Sequence, residues 1–221
     1  MRVVSIEKLS RGNKFKVCLD GGEEVILSRE VLVDYGLRRN DDVSSEILLE
    51  IRDSQLYHDA YSAAIRLLNY RMRTRREINE RLRQKKFAPH IIDRVLSKLD
   101  SLGLVDDSRF AEAFVAEKIQ SKPIGKRELE RRLHEKGVSK ETAAQAVSRL
   151  SDEVGQLELA LKAAEKKLRS LRGFDSRKKI EKLAAFLARR GFDWDTIRKV
   201  VGRTIPEGVH SGKGGIGDEI I

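Results

Sequence analysis

The segment REINERLRQKKFAPHIIDRVL, residues 76–96, decides the fold, because its apolar pattern returns twice further along the chain. The returns are RELERRLHEKGVSKETAAQAV at 127–147 and EKLAAFLARRGFDWDTIRKVV at 181–201. They lie 51 and then 54 residues further on, without internal gaps. Recurrence at a nearly constant spacing of this length indicates tandem structural repeats. The coinciding apolar positions are Ile78, Leu129 and Leu183; Leu82, Leu133 and Leu187; Phe87, Val138 and Phe192; Ile92, Ala143 and Ile197; Val95, Ala146 and Val200; and Leu96, Val147 and Val201.

Each repeat is predicted to contain three helices that close a small core. Thr74 followed by Glu77 is a capping box, and Pro89 stands where the first turn of a helix accepts proline. A three-helix unit of about 50 residues buries little surface alone, so we expect neighbouring units to pack in an elongated array. The predicted helices span 57–70, 75–85 and 89–102, then 108–120, 126–136 and 140–150, then 152–171, 176–190 and 195–204.

The first 55 residues have a different pattern, which predicts a small strand-containing module. Asp20-Gly21-Gly22 is a turn between two apolar runs and indicates a β-hairpin, to which residues 3–6 add a third strand. Ser28 is placed to cap a short helix that follows. The predicted fold is therefore mainly α, with helix-turn-helix-like repeats after the module. The expected divisions are 1–55 for the module, 56–104, 105–151 and 152–205 for the repeats, and 206–221 for a glycine-rich, disordered tail.

The charge of the chain is concentrated in the repeats. Residues 1–55 hold 9 Lys and Arg against 11 Asp and Glu, whereas the whole chain of 221 residues carries a net charge of +10. A basic block of this size favours a polyanionic partner such as nucleic acid, although it is also compatible with a solvated helical surface.

The basic residues cluster along the middle helix of each repeat, and we call this set the basic stripe. The third helices begin with residues that are poor readers of base edges, and few aromatic residues interleave with the stripe. The stripe therefore predicts contact with a phosphate backbone rather than sequence-specific recognition or binding dominated by base stacking. The stripe comprises Arg71, Arg73, Arg75, Arg76, Arg81, Arg83, Lys85 and Lys86 in the first repeat; Lys126, Arg127, Arg131, Arg132 and Lys136 in the second; and Arg177, Lys178, Lys179, Lys182, Arg189 and Arg190 in the third.

No set of residues in the sequence persuasively predicts catalysis, a metal or a cofactor. The four histidines are scattered, and the single cysteine, Cys18, can form neither an internal disulfide nor a zinc site, which fits a reducing cytoplasm. The run Gly212–Gly215 lacks the spacing of a phosphate-binding loop. We find no apolar run long enough to cross a membrane and no apolar stretch of a signal peptide.

Four local motifs resemble those of the RecX family of regulators, over about residues 57–205. The carboxylates Asp106 and Asp107, with Arg109 and Phe110, belong to the most recognisable of them, and we expect this motif to be structural, with the acids capping a helix. The motifs are the pattern Ala64, Leu68, Arg71, Thr74, Glu77, Ile78 and Leu82; the run Gly103–Ala111; the segment Lys122–Gly125; and the run Phe186–Asp193.

The resemblance implies a non-enzymatic protein that needs no cofactor. Members of this family bind the RecA recombinase filament on single-stranded DNA, and they modulate, mostly by inhibition, its ATPase, strand-exchange and co-protease activities. The implied partners are RecA and single-stranded DNA, and double-stranded DNA is an alternative ligand. The chain is expected to act as a cytoplasmic monomer. The alternative is a general DNA- or RNA-binding protein built from tandem helix-turn-helix units, which would need no recombinase.

Overall fold

The computed structural model describes residues 1–10 and 12–205, apart from the side chains of residues 151–154. Within these residues the chain forms three strands followed by ten helices, which confirms the mainly α fold with a small N-terminal sheet. The strands are β1 (Val3–Lys8), β2 (Lys14–Leu19) and β3 (Glu24–Ser28). The helices are α1 (Arg29–Asp34), α2 (Ser45–Tyr70), α3 (Arg75–Gln84), α4 (Pro89–Ser101), α5 (Asp107–Ser121), α6 (Lys126–Glu135), α7 (Lys140–Val154), α8 (Gln156–Arg169), α9 (Ser176–Arg189) and α10 (Trp194–Thr204).

The N-terminal module is a three-stranded sheet, as its sequence predicts, and its antiparallel strands lie in the order β1-β2-β3. Gly22, with φ of +78°, lies in the turn between β2 and β3, where a left-handed backbone favours glycine. Alternate residues of the strands, such as Val17 and Leu27, are buried against α1 and the first turns of α2. The Ser28 Oγ accepts a hydrogen bond from the Val31 N–H and so caps α1.

Helix α2 joins this module to the first repeat without a break. The expected division at residue 55 falls inside it, because the apolar positions of its first turns face the sheet and those of its last turns face the first repeat. Gln55 is buried at this point, and its Oε1 accepts a 2.6 Å hydrogen bond from the Ser28 N–H. An ion pair of 2.9 Å between Lys14 and Asp59 adds a second link between the sheet and α2.

Each repeat encloses its own core, formed by α2–α4, α5–α7 and α8–α10. The six sets of coinciding apolar residues lie in these cores, and only Phe87 and Val201 among them are half-buried rather than buried. Leu82, Leu133 and Leu187, which share one repeat position, are all fully shielded from solvent. The recurring apolar pattern in the sequence therefore corresponds to three repeated three-helix cores in the structure.

The described chain divides into two compact units, of which the first is Met1–Asp106 and the second begins at Asp107. The second unit holds the second and third repeats. Helix α7 continues through the expected division at residue 151 and ends at Val154, because Gly155 adopts φ of +80°. The tail predicted at 206–221, which includes the Gly212–Gly215 run, lies outside the described residues.

The start of α3 depends on a buried threonine. Thr74 is fully shielded from solvent, and its Oγ1 accepts a 3.1 Å hydrogen bond from the Glu77 N–H. Replacing Thr74 with valine keeps the side-chain shape but removes the acceptor, and should lower the free energy of unfolding by about 1–2 kcal/mol in a urea titration. Thr74→Ser, which keeps the hydroxyl, should lower the free energy of unfolding by less than Thr74→Val does. A larger loss in the serine variant would assign the effect to the methyl group instead of the cap.

Candidate nucleic-acid interface

In the first repeat, five stripe arginines that precede α3 or lie on it contact polar groups of the protein itself. Arg71 makes a bidentate ion pair with Glu77, at 3.0 and 3.2 Å. Arg73 is half-buried, its Nε donates to the Leu67 carbonyl, and desolvation lowers the pKa of its guanidinium. Part of the positive charge of this repeat is therefore compensated locally. The remaining contacts are Arg75 with Asp100, Arg76 with Glu80, and Arg81 with the Gln84 amide.

In the second repeat, the stripe is organised around one carboxylate, Glu128, on the first turn of α6. The Arg131 guanidinium donates two 2.8 Å hydrogen bonds to Glu128, and the Arg132 Nε donates another at 2.6 Å. Arg131 also pairs with Glu135. These hydrogen bonds, first from Arg131 and then from Arg132, hold the pKa of Glu128 at about 2, although its burial acts in the opposite direction.

Neutralising Glu128 should therefore change the pH dependence of stability. The folded-state pKa lies below the ordinary value of 4.5, so the stabilisation is present above pH 4.5 and is lost as the pH falls towards 2. Glu128→Gln should lower the free energy of unfolding by about 1–3 kcal/mol at pH 7, and this deficit should shrink as the pH falls from 4.5 to 2. Urea unfolding at several pH values measures this. The control is Glu130→Gln on the same helix, and a Glu128→Gln deficit that stays constant with pH would contradict the assignment.

Two further stripe residues of the second repeat have different surroundings. Lys126, the first residue of α6, is half-buried. Arg127 is exposed, and its charge contributes to a lowered pKa at Asp193, whose largest cause is the backbone hydrogen bond from Thr196. Asp193 caps α10 through that bond, so Arg127 lies near the third repeat.

In the third repeat, the stripe residues of α9 are less neutralised. Arg177 and Lys178 have only long ion pairs, of 3.6 Å to Glu181 and 3.5 Å to Asp175. Among the described residues, no ion pair forms at half-buried Lys179 or exposed Arg189. Arg190 makes two contacts, since its guanidinium lies 4.6 Å from the centre of the Phe186 ring and donates to the Pro123 carbonyl. This repeat therefore presents more available positive charge.

The second and third repeats meet through backbone, which positions α6 relative to α9. The Gly125 N–H donates a 2.7 Å hydrogen bond to the Arg190 carbonyl. A Cβ atom on Gly125 would lie 2.2 Å from the Gly191 carbonyl oxygen, and one on Gly191 would lie 2.4 Å from the Glu128 nitrogen. Only glycine permits this approach at either position. We call this contact between Gly125 and Gly191 the glycine seam.

The acidic motif lies at the beginning of α5. Asp106 directly precedes the helix and Asp107 is its first residue, the position at which carboxylates complement the helix dipole. Phe110 is buried in the core of the second repeat, whereas Arg109 is exposed. The structural role of this motif remains a prediction.

Residues 1–10 and 12–205 contain neither a membrane-spanning helix nor a metal-binding cluster. None of the helices there combines the length and apolar character needed to cross a membrane. The same residues contain no group of three or more His, Cys, Asp or Glu side chains arranged to hold a metal ion.

Comparison with known protein families decides the relationship of the chain. Models of the first, second and third three-helix domains of RecX match residues 60–99, 106–147 and 155–201. The chain belongs to the RecX family. The regulatory protein RecX of Chlorobium phaeobacteroides is 42% identical over 142 residues, which cover 64% of this chain and 91% of that protein. The regulatory protein RecX of Clostridioides difficile is 26% identical over 204 residues, covering 92% of this chain and 95% of that protein.

Solved RecX structures share the fold. One crystal structure of a regulatory protein RecX superposes with a TM-score of 0.77 at 25% identity, covering 90% of this chain and 98% of its own. RecX from Lactobacillus salivarius gives a TM-score of 0.63 at 27% identity, with 68% of this chain and 97% of that chain covered. These relatives carry the name of a regulatory protein, and the family is not one of known enzymes.

Sequence reasoning placed the stripe on the middle helices and missed what surrounds it. Lys167 lies on α8, outside the predicted stripe, with its Nζ 5.7 Å from the centre of the Phe186 ring. Phe174 lies between α8 and α9, and the Lys182 Nζ is 4.9 Å from its ring centre. A search for aromatic residues four to twelve positions from each lysine-rich run would have shown both phenylalanines as candidates. Their contacts with the cations come from tertiary packing.

Proposed function

We propose that this chain is a regulator of a RecA-type recombinase and binds the filament that the recombinase forms on single-stranded DNA. The supporting observation is the presence of three RecX three-helix domains, each with a cationic middle helix. Binding mostly inhibits the ATPase, strand-exchange and co-protease activities of the filament. The chain acts as a monomer in the cytoplasm and performs no catalysis itself.

The proposed mechanism is electrostatic and geometric. A filament repeats its subunits and phosphates at regular intervals, and a protein with several cationic repeats can contact more than one of them. Each phosphate that a Lys or Arg side chain neutralises releases condensed counterions, which favours association at low salt. Contacts that span neighbouring recombinase subunits would resist their movement during ATP hydrolysis and filament growth. The basic stripe supplies the residues for contact with the recombinase or with the DNA.

A binding comparison separates this proposal from general nucleic-acid binding. Fluorescence anisotropy of the labelled chain is measured with single-stranded DNA alone, with the recombinase alone, and with the preformed filament in a non-hydrolysable ATP analogue. A filament regulator binds the filament more tightly than either component at the same salt concentration. Equal affinity for bare DNA and for the filament would instead favour the general DNA- or RNA-binding alternative.

A further inference from the structure

The three repeats differ in how much of their positive charge is available to a ligand. Residues 155–205 hold 14 Lys and Arg against 6 Asp and Glu, whereas residues 56–104 hold 11 against 5 and residues 107–150 hold 10 against 7. In the first two repeats, arginines such as Arg71 and Arg131 are held by carboxylates of their own repeat. An internal ion pair has to be broken or shared before the guanidinium can bind a phosphate. The third repeat avoids this cost at several positions.

In the third repeat, aromatic rings take the place of carboxylates beside the cations. The Lys182 ammonium lies over Phe174, while Lys167 and Arg190 both lie over Phe186. A ring attracts a cation through its quadrupole but does not cancel its charge, so the cation is positioned and still available. Phe174 itself is 41% exposed.

These groups share one surface of the repeat. Lys182 and Arg189 are seven residues apart on α9, which places them on the same side of the helix two turns apart. Phe186 and Arg190 lie on the adjoining side, which Lys167 of α8 reaches. The one carboxylate within α9, Glu181, pairs with Arg177 instead. We name this surface the third-repeat cationic face, consisting of Lys167, Phe174, Lys182, Phe186, Arg189 and Arg190.

We propose that the third-repeat cationic face is the single-stranded DNA-binding site of this chain, a refinement that rests on the proposed function. Lys167, Lys182, Arg189 and Arg190 bind successive phosphates, and the exposed Phe174 ring offers a surface on which an unpaired base stacks. The observations favour DNA over an acidic protein surface because the cations alternate with aromatic rings, the combination that binds single strands without sequence preference. Arginines of the first two repeats that pair with carboxylates of their own repeat, such as Arg71 and Arg131, are then left for the recombinase.

The test uses two charge-matched double variants of the full chain. Lys182→Gln with Arg189→Gln removes a mid-helix lysine and a last-turn arginine from the cationic face on α9. Lys199→Gln with Arg203→Gln removes the same two residue types from corresponding positions on α10, where both side chains are exposed. Circular dichroism verifies that both variants remain folded. Anisotropy with a labelled oligothymidylate then gives the affinity at several salt concentrations.

The proposal expects the α9 variant to bind bare DNA about tenfold or more weakly, since charge-assisted hydrogen bonds are lost. Its plot of log affinity against log salt should be shallower by about 1.4, that is about 0.7 for each lost phosphate contact. The α10 variant should keep the slope of the unmodified chain. Equal losses in both variants, or an unchanged slope in the α9 variant, would overturn the proposal. So would an α9 variant that binds DNA normally and the filament weakly, because the face would then contact the recombinase.

Because the measurements on bare DNA contain no recombinase, their failure is distinguishable from failure of the proposed function. If the slope falls as expected while the unmodified chain leaves the recombinase unaffected, the DNA site stands and filament regulation does not. If the chain inhibits the recombinase while the α9 variant retains its slope, regulation stands and the assignment of the DNA site is wrong.

Discussion

Replacing Gly125 with alanine should lower the free energy of unfolding of the second unit by about 3 kcal/mol, through overpacking and a lost hydrogen bond. The added Cβ would lie 2.2 Å from the Gly191 carbonyl oxygen and 2.4 Å from the Phe192 nitrogen. Both are backbone atoms, so no side-chain rotation relieves the clash. The two segments have to separate, and the 2.7 Å hydrogen bond from Gly125 to Arg190 weakens with them. Urea unfolding followed by circular dichroism measures the loss.

The backbone of Gly125 makes this substitution a clean test of the glycine seam. Its φ of −79° and ψ of 170° suit any residue, so alanine brings a steric penalty without backbone strain. The matched control is Gly202→Ala within α10, where an added Cβ meets no atom within 4 Å. That control should stabilise the chain by up to about 1 kcal/mol through helix propensity. An unchanged stability for Gly125→Ala would mean that the second and third repeats do not meet at this seam.

Replacing Leu133 with alanine should cost about 2–5 kcal/mol, the range for deletion of a buried leucine side chain. Leu133 is fully shielded from solvent on α6 and packs in the core of the second repeat. A core of this size has few other side chains that could move to fill the cavity. The measurement is again the free energy of unfolding in urea.

The neighbouring residue supplies the control for Leu133. His134 is exposed on the same helix, so His134→Ala should change the free energy of unfolding by less than about 0.5 kcal/mol. If the two variants lost similar stability, α6 would be rotated relative to the packing described here. The repeat alignment predicts the same loss for alanine substitution of the equivalent leucines, Leu82 and Leu187.

The sequence predicted those parts of the fold that depend on local pattern. The helical spacing of Ile78, Leu82 and their counterparts is a local property that the sequence shows directly, and these side chains are buried in the structure. Capping signals such as Thr74 and Ser28 act over three residues and were equally accessible. The end of the seventh helix was placed too early, because Gly155 ends it only through its positive φ.

The candidate site was less predictable because it depends on residues that are distant in the chain. Arg75 pairs with Asp100, and Arg190 reaches the Pro123 carbonyl, so the polar contacts of neither arginine could be predicted from its neighbours in the sequence. The segment Lys122–Gly125 contains no signal that glycine is required at its end, whereas Gly125 is required by a contact with Gly191, 66 positions away. Counting charged residues therefore gives the net charge of each repeat, but it does not give the fraction of basic side chains that can bind a phosphate.

The central claim is that this chain acts on the recombinase filament and not merely on DNA. The most direct measurement is the DNA-dependent ATPase rate of the matching recombinase on single-stranded DNA as the chain is titrated in. The account predicts suppression at fewer than one molecule per recombinase subunit with DNA in excess. An unchanged rate, or suppression that disappears when more DNA is added, would contradict it and indicate competition for DNA alone.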